Sequence, residues 1–272
     1  MTNATLGTAL ITGASTGLGA VYADRLARRG YDLILVARDA GRMESLAAKL
    51  TESTGRTVDV LRADLTDRAD VAKIESRLAT DGAITLLVNN AGMSLTGGLL
   101  DSDIARVEAL IALNITAPTL LAAAAGKAFA ERKHGGIINI ASVLALAPEM
   151  FDGVYSGSKA YLLNLSKSLA AKLEPLGVRV QAVLPGATRT EIWERSGKDV
   201  DSFPVEWVME AGDLVDAALL GLDRGETVTI PPLADEGQWK AYEAARLAMG
   251  DRLSNRQVAP RYREAVRETA AA

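Results

Sequence analysis

The feature that most constrains this chain is an alternation of two patterns. Short apolar runs take turns with stretches whose apolar residues recur every three or four positions. The strand candidates are "TALIT" (8–12), "DLILVA" (32–37), "TVDVLRAD" (57–64), "ITLLVNN" (84–90), "GIINIAS" (136–142), "VRVQAVLPG" (178–186) and "TVTI" (227–230). Helix candidates lie between them at 19–30, 41–54, 67–80, 102–132, 153–174 and 213–223, and the tail from 235 reads as helical. The strand candidates are apolar at most positions, as strands buried on both faces are. Strands joined through helices pair in parallel by right-handed crossovers. The expected fold is α/β: a doubly wound parallel sheet between two helical layers. No long repeat or linker interrupts it, so one domain over 1–272 is expected, with a helical C-terminal tail.

The rhythm breaks once, at 190–212, where Trp193, Phe203, Pro204 and Trp207 lie in an irregular stretch after a strand. Such an insertion suits a lid or pocket wall. The net charge of −4 offers no basic footprint for nucleic acid or anionic lipid. With no cysteine and a single histidine, thiolate chemistry and His-based metal sites are excluded, and a reducing compartment fits. His134, in "ERKHGG", is expected on the surface at a helix exit. The start, "MTNATLGTALITG", lacks a basic n-region and runs directly into a strand, so a cytoplasmic protein is expected. The apolar stretch 109–126 is interrupted by Asn114, Thr116, Pro118 and Thr119, and reads as a buried helix rather than a membrane span.

"TGASTGLG" (12–19) joins the first strand to the first helix, with Gly13, Gly17 and Gly19 spaced G-x-x-x-G-x-G around Leu18. Glycines there permit a tight turn and close approach of the backbone to a pyrophosphate, whose charge meets the helix N-terminus. No Lys-Ser/Thr pair follows, which disfavours a P-loop. A Rossmann-like dinucleotide site is expected. Ala37 stands where an NAD site usually has an acid, and Arg38 follows it. A guanidinium suits a 2′-phosphate, and Arg42 is placed to help. NADP(H) is therefore expected, with NAD(H) as the alternative, since Asp39 is also in reach of a ribose.

In "YSGSKA" (155–160), Tyr155 and Lys159 share one helical face. A phenol titrates near pH 10, and a nearby cation favours its ionised form. Lys159 supplies that cation and has donors to spare for ribose hydroxyls. Ser142 follows a strand at the edge where α/β sheets bind ligands, and its hydroxyl suits a substrate oxygen. Asn114 lies mid-helix between Leu113 and Ile115, an unfavourable place for an amide without a task.

Over residues 6–230 the chain resembles the short-chain dehydrogenase/reductase (SDR) family. The resemblance rests on "TGASTGLG", "ADL" (63–65), "NNAG" (89–92), Asn114, Ser142, "YSGSK" and "PGATRT" (185–190), in order. It implies an oxidoreductase moving hydride between nicotinamide and a ketone, aldehyde or secondary alcohol, with Tyr155 as general acid/base. Ser142 would stabilise the substrate oxygen, and Asn114 would hold a water relaying protons to Lys159. Asp64 and the Leu65 backbone would meet the adenine, while Asn90, Ala91 and Gly92 would line its ribose. Ser15 and Thr16 would lie by the phosphates, Pro185, Gly186 and Thr188 by the carboxamide, and Thr190 on the phosphate side. Thr16 stands where many NADP-preferring members carry a basic residue, so NADP(H) rests mainly on Arg38.

Ser94, Leu95, Val143, Leu144, Ala145, Leu146, Met150, Phe151, Ile192, Trp193, Phe203 and Trp207 are the candidate pocket positions. They are mostly apolar and predict an apolar carbonyl or alcohol substrate. The family builds dimers and tetramers from the helices matching 102–132 and 153–174, which implies a homo-oligomer. The tail "WKAYEAAR" (239–246) resembles a bacterial branch of the family. A non-catalytic NADP-binding regulator on the same fold is the competing reading, which the full catalytic set opposes. An epimerase or dehydratase of the longer branch is opposed by the glycine spacing and the short C-terminal region.

Overall fold

The computed structural model describes residues 6–195, 197 and 199–262. Up to Asn89 the elements alternate strictly: β1 (Thr8–Thr12), α1 (Gly17–Arg28), β2 (Asp32–Ala37), α2 (Ala40–Thr54), β3 (Val58–Arg62), α3 (Arg68–Thr80) and β4 (Ile84–Asn89). Then come α4 (Ile104–Ile111), a π-helical turn (Ala112–Thr116), α5 (Ala117–Arg132), β5 (Gly135–Ile140), α6 (Gly153–Leu173) and β6 (Val178–Val183). The short elements β7 (Thr188–Arg189), α7 (Ile192–Arg195) and β8 (Met209–Glu210) lead to α8 (Ala211–Asp223) and β9 (Val228–Thr229).

Seven strands form one sheet in the order β3-β2-β1-β4-β5-β6-β9. Every pair is parallel. The order reverses between β1 and β4, which opens a crevice at their carboxyl ends. The glycine loop and "NNAG" both lie there.

The two faces of the sheet bury different residues of the same strand. Ala9, Ile11, Leu33 and Leu35 face the core that contains Tyr22, Leu26, Met43 and Leu214 of α1, α2 and α8. Leu10, Ile34 and Val36 face Ile74, Leu121, Ala125 and Phe129 of α3 and α5. This period-two division of apolar strands makes the sheet the middle of three layers.

The segment Ile104–Arg132 is long and apolar enough to cross a membrane by length and composition. Its second half instead packs on α3 and on strands β4 and β5, with Leu121, Ala125 and Phe129 fully buried. His134 is exposed just beyond the left-handed residue Lys133 (φ 54°) that ends α5.

Around 190–212 the structure adds order that hydrophobic pattern does not foretell. β7 and β8 pair in parallel as a separate two-stranded sheet, Thr188 opposite Met209 and Arg189 opposite Glu210. Two-residue strands carry too few side chains for periodicity to register. The described residues divide into two compact units, one up to Pro232 and one from Leu233. The second contains the helix α9 (Glu236–Ala248), capped by the Asp235 carboxylate, with Trp239 stacked on Tyr242.

Candidate active site

The glycine loop is built without room for side chains. Gly13 and Gly17 take positive φ angles of 66° and 54°, which a residue with a Cβ adopts only with strain. Gly19 has ordinary φ, but a Cβ there would lie 2.2 Å from the Gly13 carbonyl oxygen. The loop is tied to the end of β4. The Asn90 side-chain amide donates to the carbonyls of Thr12 (2.9 Å) and Gly13 (3.2 Å). The Thr12 hydroxyl accepts from the backbone N–H of Asn90 (3.0 Å) and Ala91 (3.1 Å) and donates to Val88 (3.3 Å). Thr190 crosses on the other side, its Cβ 3.3 Å from where Gly17 would carry one. Gly13, Gly17, Gly19, Asn90, Ala91 and Thr190 thus come together at the carboxyl ends of β1 and β4.

Arg38 follows β2 and is 75% exposed, with a long contact, 3.9 Å, to Asp64. The Asp64 carboxylate is disfavoured by partial burial, but hydrogen bonds from the Thr66 N–H and hydroxyl outweigh this and lower its pKa. Asp39 caps α2, its carboxylate accepting the Arg42 N–H at 3.0 Å. Arg42 is ion-paired with Asp39 (3.4 Å) and Glu191 (2.9 Å).

The catalytic candidates meet at the carboxyl ends of β5 and β6. Asp152 caps α6 and accepts the N–H of Val154 (3.3 Å) and Tyr155 (3.0 Å), which fixes where the first turn starts. Tyr155 and Lys159 then lie one turn apart, the Lys159 ammonium 5.5 Å from the Tyr155 ring centre. Ser142 stands close enough to the Tyr155 phenol to favour its ionised form. The Ser142 hydroxyl also accepts the Leu144 N–H (3.1 Å) and approaches the Pro185 carbonyl at 3.4 Å.

Burial dominates both titrations. It pushes the Tyr155 phenol up to about 12, against the smaller lowering effect of the nearby Ser142 hydroxyl. It pulls Lys159 down to about 8. Lys159 is 4% exposed and donates to the Ile140 carbonyl at 2.8 Å. In the protein alone, desolvation therefore outweighs the lowering of the phenol pKa that the lysine charge predicts.

Asn114 sits in the π-turn, where the Ala117 N–H reaches back to Ala112. Such turns recur at functional sites. Its side chain accepts the Met93 N–H (2.9 Å) and donates to the Met93 carbonyl (2.8 Å) and to the Ser158 hydroxyl (3.1 Å). Ser158 in turn donates to the Tyr155 carbonyl at 2.7 Å. The amide thus anchors the loop after "NNAG" to the catalytic helix. A Cβ on Gly92 would lie 3.4 Å from both the Asn114 oxygen and the Lys159 nitrogen.

A family profile described as short chain dehydrogenase matches residues 7–201. The chain belongs to that family. A short-chain dehydrogenase from Sphingobium yanoikuyae, solved in complex with NADPH, is 50% identical, covering 94% of this chain and 100% of its own, with a TM-score of 0.92. An alcohol dehydrogenase from Comamonas testosteroni, described as bulky-bulky ketone specific, is 45% identical over 96% of this chain and 100% of its own, with a TM-score of 0.88. An uncharacterised oxidoreductase of Staphylococcus saprophyticus is 30% identical over 82% of this chain and 93% of its own.

In this short-chain dehydrogenase the segment after β6 carries the aromatic candidates. The Trp193 indole donates to the Thr188 carbonyl at 2.8 Å, and its ring packs on Phe203 with centres 5.0 Å apart. Phe151 meets Tyr155 edge-on at 5.7 Å. Ser94 is buried, and Leu95 lies in a cluster with Val107 and Leu110, against which Val154 and Tyr155 pack. Val143 and Leu144 are half-buried, whereas Met150 and Trp207 are 65% and 59% exposed. Thr12 is the site residue that pattern reading overlooks. It reads as the last strand position, and only its being a hydroxyl at the mouth of the glycine loop hints at its bonds.

Proposed function

We propose that this short-chain dehydrogenase is an NADP(H)-dependent carbonyl reductase or alcohol dehydrogenase acting on apolar ketones with bulky substituents. The observation that carries the reading is the meeting of Ser142 and Tyr155, with Lys159 one turn along and its ammonium 5.5 Å from the phenol ring centre, beside a loop stripped of side chains. The cradle fits a dinucleotide, because a Cβ on Gly13, Gly17 or Gly19 would fill it or strain it. Gly13 to Gly19, including Ser15, Thr16 and Leu18, would hold its phosphates. Asp64, Leu65 and Asn90 to Gly92 would hold the adenosine, and Pro185, Gly186 and Thr188 the nicotinamide end. When bound, the nicotinamide supplies or accepts a hydride.

The chain's own residues handle the proton. A phenol with a pKa near 12 is protonated at neutral pH, so Tyr155 is set to donate to an oxygen that gains negative charge. Ser142 holds that oxygen beside the phenol. Lys159, near 8, stays largely charged at pH 7 and stabilises the tyrosinate left behind. Asn114 keeps the π-turn and the Met93 loop fixed against α6. Trp193, Phe203, Val143 and Leu144 would enclose the apolar substituents. The Comamonas relative's ketone specificity and the Sphingobium relative's NADPH complex support this reading. A cytoplasmic homodimer or homotetramer is part of the proposal, with Ile104, Ile111 and Tyr161 exposed on the helices concerned.

The test is NADPH oxidation over a panel of ketones and aldehydes. Tyr155→Phe should lower turnover by roughly 10²–10⁴-fold while NADPH still binds in a fluorescence titration. Near-wild-type turnover in that variant would refute the assignment.

A further inference from the structure

The stretch between β7 and β8 starts and ends on one small sheet, with Thr188 opposite Met209 and Arg189 opposite Glu210. The Met209 N–H also reaches the Ala187 carbonyl at 2.9 Å. Two contacts fold the interior of the stretch back on β7. The Trp193 indole donates to the Thr188 carbonyl at 2.8 Å, and the Arg189 guanidinium meets the Asp201 carboxylate at 2.7 Å. Asp201 lies in a single turn (Val200–Ser202) that Asp199 starts, the Asp199 carboxylate accepting the Asp201 N–H at 2.9 Å.

These contacts close a circuit. Phe203 follows Asp201 by two residues and packs on Trp193, with ring centres 5.0 Å apart. Both rings are thus registered on consecutive residues of β7, Trp193 through the Thr188 carbonyl and Phe203 through Arg189. On another side, a Cβ on Gly197 would lie 3.2 Å from the Thr96 methyl carbon, next to Leu95 in sequence. The stretch therefore reaches from β7 to the loop after β4, whose Leu95 belongs to the cluster that Tyr155 packs against. Arg189 has a second, separate contact, its Nε donating across the strands to Glu210 at 3.1 Å. The Asp201 contact can be removed while that one stays.

We propose that Arg189 is a positioning residue for substrate recognition: its pair with Asp201 sets where Phe203 and Trp193 stand relative to Thr188, and so how well the site takes the larger substituent of a ketone. This rests on the carbonyl-reductase reading above. With the pair made, the two rings form an apolar wall that is already ordered when a bulky substituent arrives. With the pair broken, the stretch is still held at β7, at β8 and by the Trp193 indole, but Phe203 is freer. A bulky substituent must then order the wall as it binds. A small ketone that does not reach the wall is indifferent to the change. Arg189 and Asp201 are 41% and 69% exposed, so the effect is modest.

Steady-state NADPH oxidation with valerophenone and with butanone tests this in the full chain. Asp201→Asn should raise KM for valerophenone roughly two- to fivefold, leave its kcat unchanged, and leave both constants for butanone unchanged. Adding Asp201→Asn to Arg189→Gln should change nothing further, since the pair is already broken. Fluorine NMR of the protein labelled with fluorotryptophan gives a readout without any ligand: the Trp193 resonance, assigned by its loss in Trp193→Phe, should shift in Asp201→Asn. An equal change in KM for both ketones, a loss confined to kcat, or an unmoved Trp193 resonance overturns the proposal. If the wild-type protein reduces neither ketone, the carbonyl-reductase reading falls and the positioning role falls with it. Wild-type turnover with an unchanged valerophenone KM in Asp201→Asn removes the positioning role alone.

Discussion

Replacing Gly19 with alanine tests the packing of the glycine loop against the β4 end more directly than any change to a catalytic side chain. The added Cβ would lie 2.2 Å from the Gly13 carbonyl oxygen and 2.6 Å from the Asn90 amide nitrogen. Ordinary contact needs about 3.5 Å, so one or both must retreat by about an ångström. Gly13 cannot retreat freely, because its backbone is packed so close to that of Ala91 that a Cβ built on it would lie 2.9 Å from the Ala91 Cα. The amide would give up its bonds to Thr12 and Gly13 instead. Overpacking costs ~1–3 kcal/mol, and each lost hydrogen bond about 1 kcal/mol. A loss of ~3–5 kcal/mol lowers the melting temperature by roughly 6–20 °C in a chain of this size. The control is Gly41→Ala in the first turn of α2, where the nearest neighbour of an added Cβ is 3.8 Å away. Helix propensity there favours alanine by up to about 1 kcal/mol. Differential scanning calorimetry should show Gly19→Ala well below wild type and Gly41→Ala at or above it, and Gly19→Ala should lose NADPH binding. A Gly19→Ala protein that melts with wild type and binds NADPH normally would refute the close-approach argument.

Two further outcomes follow from the site's charges. Lys159 is held near 8, below its ordinary 10.5, so between those values the unfolded chain binds more protons than the folded one. Its burden on stability is full below pH 8 and fades as pH rises toward 10.5. Lys159→Met should therefore melt higher than wild type at pH 7, by an amount that shrinks from pH 8 to 10; parallel melting curves against pH would contradict this. Arg38→Asp should weaken NADPH at least tenfold more than NADH in fluorescence titrations, and equal effects would remove Arg38 from the 2′-phosphate.

The sheet was legible because its strands carry their evidence locally. "DLILVA" is apolar at five of six positions, and the observed β2 spans the same residues. Helix starts were nearly as clear where a carboxylate caps them, as Asp39 and Asp152 do for α2 and α6. The four catalytic candidates are readable because each has an unusual setting: a phenol and amine one turn apart, a hydroxyl at a strand end, an amide inside a helix. What escaped was relational. The bonds of Thr12 depend on where β4 ends, and the pairing of β7 with β8 on a contact between segments twenty residues apart. The direction of the Tyr155 shift also depends on burial, which a sequence states only for whole faces, not for one hydroxyl.

The π-turn at Ala112–Thr116 has a consequence for how the long apolar segment is divided. In an unbroken helix, Val107 and Ala125 are eighteen residues, or five full turns, apart and would face one way. The turn holds one residue more than an α-helical turn and slips the phase by about 100°. Val107 and Leu110 accordingly join Leu95 near Tyr155, while Leu121 and Ala125 join α3 and the sheet. One continuous stripe in the sequence thus serves two separate cores. Deleting a single residue between 112 and 116 would leave the composition of the segment almost untouched. It would also remove the extra residue that the π-turn absorbs, so a regular α-helix would run through with Val107 and Leu110 still facing the wall behind the phenol. A deletion between 107 and 112 that kept the turn would instead rotate Val107 away by about 100°.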